Sequence, residues 1–341
     1  MSHENHQFSG LTKRVWDFAD LVLKNRLARA LDEGIARYPI YRELRLAARV
    51  ELEVLLDAVA LDPMWRAERI DGEVMILESE GLFVSVYGSR KAEYCSCAFY
   101  LWAADVARAE EARQRILAKA GSTRITEPMF SIDWHFLSGE ELESATIEEL
   151  ADDVLLDAAY PEIKGGVRAF IDRYLRAPET VLVLQGPPGT GKTRLIRAIL
   201  GEVSRRKGQQ GVCLYTGDMK ALTSDGIFVK FITGTHDAFV VEDADHLLKP
   251  RADGNEHLHR FLAIADGVVR AQGRKIIFST NLPNVGDLDE ALLRPGRCFA
   301  RVHVRTLTGS ETKALAAEIG SPGFIPEDRK HSLAEIYRAL R

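Results

Sequence analysis

The octapeptide Gly186-Pro187-Pro188-Gly189-Thr190-Gly191-Lys192-Thr193 constrains this chain more than any other stretch. It follows an apolar run at 181–184 and precedes Leu195, Ile196 and Ile199, whose spacing opens a helix. A buried strand, a glycine-rich turn and a helix start, in that order, make a phosphate-binding loop. The glycines let backbone N–H groups converge on phosphate oxygens, and the helix N-terminus adds partial positive charge. Lys192 is placed to reach the β- and γ-phosphates, and the Thr193 hydroxyl to ligate magnesium. All eight residues are therefore assigned to nucleotide binding.

From 181 onward strands alternate with helices. Continuous apolar runs at 212–215, 239–241, 276–278 and 302–304 suit a parallel sheet covered on both faces. The run at 239–241 ends in Glu242-Asp243-Ala244-Asp245, 50 residues past Lys192. A strand ending in acids there supplies one carboxylate to hold magnesium and one to orient attacking water. Glu242 is assigned to the metal and Asp243 to the water. The usual order, Asp then Glu, is reversed, and the shorter Asp reaches one methylene less, so slow turnover is expected. The run at 276–278 leads to Ser279-Thr280-Asn281, and a polar residue ending that strand sits beside the γ-phosphate. Arg294 follows 13 residues after Asn281, in Leu292-Leu293-Arg294-Pro295-Gly296-Arg297. An arginine near a second subunit's γ-phosphate stabilises transition-state charge; a pair of surface arginines is the alternative.

Together these segments resemble the AAA+ ATPases, and within them the AAA subfamily proper, over about 180–305. The Glu-Asp order is known within that subfamily. The resemblance implies ATP with Mg2+, a P-loop NTPase module with a five-stranded parallel sheet in the order 5-1-4-3-2, and a homo-oligomeric ring, usually a hexamer. It also implies a sensor at Asn281 and arginine fingers at Arg294 and Arg297. The helical lid, 307–341, is short. Thr308-Gly309-Ser310-Glu311 and Ser332-Leu333-Ala334-Glu335 both read as capping boxes opening helices. The family's aromatic–hydrophobic–Gly pore loop is missing between Thr216 and His236. Ile227-Phe228 is the nearest substitute and reads better as helix core.

The first 145 residues have a different texture and match no family recognisable from their residues. Helices are expected over 11–36 and 40–60, separated at Pro39. Strands are expected over 73–78, 82–87 and 94–102, and a helix over 103–120 ending at Gly121. Phe130, Ile132, Trp134 and Phe136 alternate with polar residues, as in a half-buried strand. An α+β domain over 1–145 follows, with linker helices over 146–179 (near 146–159 and at 165–176) and the ATPase core over 180–306. Cys95 and Cys97 share a strand face. With no second Cys/His pair at zinc spacing they read as core, not half a metal site.

Residues 1–160 hold 18 Lys+Arg against 29 Asp+Glu, a net −11; residues 161–341 hold 27 against 21, a net +6. An acidic front half is a poor surface for nucleic acid, whose affinity comes largely from phosphate neutralisation. No apolar run approaches the ~20 residues that span a bilayer, and the polar N-terminus lacks a signal core. A cytoplasmic enzyme with no membrane segment is expected. The leading expectation is an ATP-driven machine that remodels a protein partner recruited through 1–145. A nucleic-acid loader and an ATP-gated scaffold without threading are the alternatives.

Overall fold

The computed structural model describes residues 38–340 except 152–154, 209, 251–256 and 266–272, together with positions 22, 25, 26, 28 and 29. The chain divides into two compact units, Met1–Thr126 and Glu127–Arg341.

The first unit is built on an antiparallel sheet of β1 (Ile40–Ala48), β2 (Arg66–Arg69), β3 (Val74–Ser79), β4 (Leu82–Arg90) and β5 (Cys95–Ala103), in the order β1-β5-β4-β3-β2. Helices α1 (Leu52–Ala60) and α2 (Val106–Ala120) bury Leu52, Leu55, Leu56, Ala112 and Ile116 in one core with Met75, Val84 and Phe99. The α2 N-terminus is capped by the Asp105 carboxylate, which accepts from the Arg108 N–H at 2.7 Å. Cys95 and Cys97 lie in the same core. Among the described residues no group of three His, Cys, Asp or Glu could hold a metal.

The helix expected over 11–36 lies almost wholly outside the described residues. The one expected over 40–60 is corrected: only 52–60 is helical, and 40–48 is strand β1, paired antiparallel with β5. Leu44, Leu46 and Ala48 fit a strand period of two as well as any helix, and pairing along the whole of β5 decides between them.

The second unit carries β6 (Met129–Ser138), β7 (Glu141–Leu150), α3 (Val167–Arg176), β8 (Val181–Gln185), α4 (Lys192–Lys207), β9 (Gly211–Thr216), α5 (Asp225–Thr233) and β10 (Ala238–Val241). There follow α6 (Asp245–Leu248), α7 (Leu258–Ala265), β11 (Lys275–Thr280), β12 (Cys298–His303), α8 (Gly309–Glu318) and α9 (Leu333–Ala339). The sheet order is β12-β8-β11-β10-β9-β6-β7. Its first five strands are all parallel, in the order 5-1-4-3-2. Leu182 and Leu184 enter the core on one face, Val181 and Val183 that on the other. Burial on both faces is why these strands read as unbroken apolar runs.

The expected five strands become seven. β6 pairs parallel with β9, and β7 pairs antiparallel with β6 through a two-residue turn at Gly139-Glu140, where Gly139 takes a φ of 65°. The unit boundary therefore falls at 126/127, not at 145. The linker helix expected near 146–159 is also corrected among the described residues, because 146–150 ends β7 and Asp157–Ala159 makes a short 3-10 turn. The helix expected over 165–176 is α3. Among the described residues no helix is long and apolar enough to cross a membrane.

The new boundary gives a prediction. A 127–341 fragment should fold and bind ATP, whereas a 146–341 fragment should not. Cutting at 146 removes buried Phe130 and leaves β9 unpaired on its outer edge. Losing one buried Phe costs about 3–5 kcal/mol, a large part of a domain's roughly 5–15 kcal/mol. Thermal melts followed by circular dichroism check this, and equal melting temperatures for the two fragments would refute it.

Candidate nucleotide site

Strand β8 is buried along its whole length and delivers the chain into the glycine-rich loop. Gly186 has a φ of 154°, and a Cβ there would stand 1.8 Å from the Val304 carbonyl oxygen, so no side chain fits. At Gly191 (φ 95°) a Cβ would meet the Tyr160 hydroxyl at 2.8 Å. That hydroxyl donates to the Gly191 carbonyl at 3.0 Å. Gly191 is also the N-cap of α4 and offers no side chain to its first N–H groups, which leaves them for an anion.

Lys192, the first residue of α4, is 8% exposed. Its ammonium donates to the carbonyls of Gly186 (2.7 Å) and Pro187 (3.0 Å) and to Asn281 Oδ1 (2.9 Å). Burial lowers its pKa, and Asp243, Asp245 and Glu242 oppose that shift. Asn281 is the bridge of the site. Its amide Nδ2 donates to Asp243 Oδ1 at 3.0 Å while its oxygen accepts from Lys192.

The two acids diverge. Glu242 turns to α4, where its carboxylate accepts from the Thr193 hydroxyl at 2.6 Å. Asp243 has a φ of 49°, the only left-handed non-glycine backbone among the described residues. Asp tolerates that region better than most residues, and strain of this kind gathers at functional sites. Thr193 and Glu242 together offer hard oxygen donors, the chemistry that suits magnesium held between carboxylate, phosphate and water.

Residues without an assigned role in the sequence complete the site. Asp245 accepts from the Thr280 hydroxyl (2.6 Å) and the Asn281 backbone N–H (2.8 Å), so it fixes the strand end that carries the bridge. Ser279 Oγ accepts from the Asp243 N–H at 3.2 Å. From the lid, Leu333, Ala334 and Tyr337 of α9 line the cleft, about 520 Å3 in volume. The Ala334 N–H donates to the Gly189 carbonyl at 3.0 Å, and the Arg194 guanidinium lies 4.5 Å over the Tyr337 ring. Both capping boxes form, at Thr308/Glu311 and Ser332/Glu335. The third acid of Glu-Asp-Ala-Asp was the signal for Asp245; lid residues that reach the loop only through tertiary packing left none.

The two arginines part company. Arg294 is exposed. Arg297 is 8% exposed, and its guanidinium donates to the Ala291 carbonyl of its own chain. Within its own chain Arg297 thus braces the 291–297 loop, where its backbone N–H also closes onto the Arg294 carbonyl at 3.2 Å.

The family described as "ATPase family associated with various cellular activities (AAA)" matches residues 182–306. Among similar proteins, the peroxisomal ATPase PEX6 of Homo sapiens is 28% identical over 235 residues, covering 65% of this chain and 22% of that protein. The ATP-dependent zinc metalloprotease YME1 homolog of Caenorhabditis elegans is 30% identical over 210 residues, 56% of this chain and 27% of that protein. Spastin of Drosophila persimilis is 31% identical over 206 residues, 56% of this chain and 24% of that protein. The chain thus spans about a quarter of the length of these relatives. With this match laid over a sheet in the 5-1-4-3-2 order and a phosphate loop closed by a helical lid, residues 182–306 form an AAA-type ATPase module within the chain.

Proposed function

We propose that this chain hydrolyses Mg-ATP in a homo-oligomeric ring and uses the cycle to remodel or assemble a protein partner. The observation that carries the reading is the make-up of the cleft. Among the described residues that line it, the arginine is Arg194, stacked on Tyr337, and Lys192 is the cation beside the acids and Asn281. A γ-phosphate bound there gains charge in the transition state and needs a further positive group. The exposed Arg294 of a neighbouring subunit supplies it.

Within one chain, Lys192 releases the loop carbonyls and pairs with phosphate oxygens. Thr193 and Glu242 would hold the metal, which would supply positive charge to neutralise the phosphate oxygens. Asp243, held by Asn281, orients the attacking water and accepts its proton. When Lys192 turns to phosphate, the Asn281 Oδ1 is released while its Nδ2 still holds Asp243. PEX6 is named as an ATPase and the YME1 homolog as an ATP-dependent protease, and the first unit, Met1–Thr126, is the candidate for partner recruitment.

A second reading, an ATP-gated scaffold without threading, draws on Ile227 and Phe228, which are buried in α5 and leave no aromatic loop at that place. The test is Asp243→Asn, a variant that should bind ATP and stop. With ATP it should sediment as a stable oligomer and retain a protein partner from lysate that the wild type releases. A monomer under ATP would sink the ring. A stable ring whose wild-type turnover is indifferent to the retained protein would favour the scaffold.

A further inference from the structure

We infer that Tyr215 is a positioning residue that holds the Glu242 carboxylate for magnesium, an inference resting on the reading of Glu242 as the metal carboxylate. The Tyr215 hydroxyl donates to Glu242 Oε2 at 2.9 Å, while the other oxygen, Oε1, accepts from Thr193 at 2.6 Å. Each carboxylate oxygen therefore has one donor, and the two donors come from opposite sides of the cleft wall. A glutamate has one more rotatable bond than the aspartate usual at this place. A longer side chain loses more freedom when it is fixed, and a second-shell hydrogen bond is the ordinary means of fixing a metal carboxylate.

Tyr215 is itself held by the hairpin that enlarges the sheet. Trp134 on β6 lies opposite Tyr215 in the register, and the rings meet edge to face, with centroids 5.8 Å apart and planes at 88°. Edge-to-face contact of this kind favours one orientation of the ring. The hairpin also grips the chain just after Tyr215. The Thr216 hydroxyl donates to the His135 carbonyl at 2.9 Å, and the Leu137 N–H donates to Asp218 Oδ2 at 2.9 Å. Two departures from the expected module are thus one arrangement: the two added strands buttress the tyrosine, and the tyrosine steadies the out-of-place glutamate.

The test removes only the hydroxyl. Tyr215→Phe keeps the ring and its contact with Trp134. Binding of adenylyl-imidodiphosphate to the full chain is measured by calorimetry, in EDTA and across a magnesium titration. Tyr215→Phe should leave affinity in EDTA unchanged and raise the magnesium concentration for half-maximal effect about tenfold, the size of other second-shell losses. Trp134→Leu should move it the same way by less. Glu242→Asp withdraws the carboxylate from the hydroxyl, so adding Tyr215→Phe to it should change nothing more, which marks a shared path. An unchanged magnesium requirement in Tyr215→Phe, equal loss in EDTA, or full additivity with Glu242→Asp would overturn the inference. Those results with a magnesium-insensitive Glu242→Gln would overturn the metal assignment as well. With Glu242→Gln still strongly impaired in magnesium, they would overturn the role of Tyr215 alone.

Discussion

Arg294→Ala is expected to lower turnover about a thousandfold or more, the typical worth of an arginine finger, while leaving ATP affinity within a few-fold of wild type. The side chain is exposed and lies outside the residues that line its own cleft, so its loss should not disturb binding in the same subunit. The decisive measurement is mixing. Lys192→Ala subunits hold no ATP but present an intact Arg294. Arg294→Ala subunits hold ATP and present nothing. Mixed rings should regain turnover, because an Arg294→Ala site borrows the arginine of a Lys192→Ala neighbour. Variants that co-assemble yet stay dead would place Arg294 outside catalysis. Arg297→Ala should behave differently. Its guanidinium is buried against the Ala291 carbonyl, so its loss should lower the melting temperature as well as the rate, and mixing should rescue it poorly.

The second large effect is expected from Lys192→Ala. Phosphate binding loses its main cation, and charge-assisted hydrogen bonds are worth about 1.5–3 kcal/mol each. Two of them correspond to a loss of several hundredfold in affinity, at about 1.4 kcal/mol per factor of ten. The nucleotide-free protein should suffer much less. Burial already works against the charged form of Lys192, so removing it relieves a desolvation cost while leaving two carbonyls and one amide short of a donor. A thermal-shift titration separates these effects. The wild type should gain stability with ATP by linkage, about 2.7 kcal/mol at a hundredfold excess over Kd. Lys192→Ala should melt near the wild-type apo temperature and gain almost nothing. An undiminished shift would mean that the glycine-rich loop is not the nucleotide site.

What could be read from the residues follows the range of the interactions involved. The loop at Gly186–Thr193, both capping boxes and the five parallel strands depend on local spacing, and each element stands where its spacing puts it. Strand β6 was legible as strand but not as part of this sheet, and β7 was not read as strand at all. Alternation at Phe130, Ile132 and Trp134 says that one face is buried, and nothing in it says which strand lies alongside. The stretch 40–48 failed for a related reason, since apolar residues at 40, 44, 46 and 48 satisfy two periods at once. Within the site, Lys192, Thr193, Glu242, Asp243 and Asn281 come together from three strand ends. Tyr215 was hidden because its hydroxyl matters only once β9 and β10 lie side by side.

The outermost strand has a consequence for how copies of this chain crowd together. Among the described residues β7 pairs with β6 alone, so its far side is a sheet edge, a template on which another strand can grow. It carries Glu141, Glu143, Glu148 and Glu149 along ten residues. A second β7 laid against it would set carboxylate beside carboxylate, and like charges facing across strands are destabilising. Electrostatics therefore work against fibre-like growth of the enlarged sheet from this edge. High local concentration, the condition that any multi-subunit particle creates, leaves each sheet separate from the next.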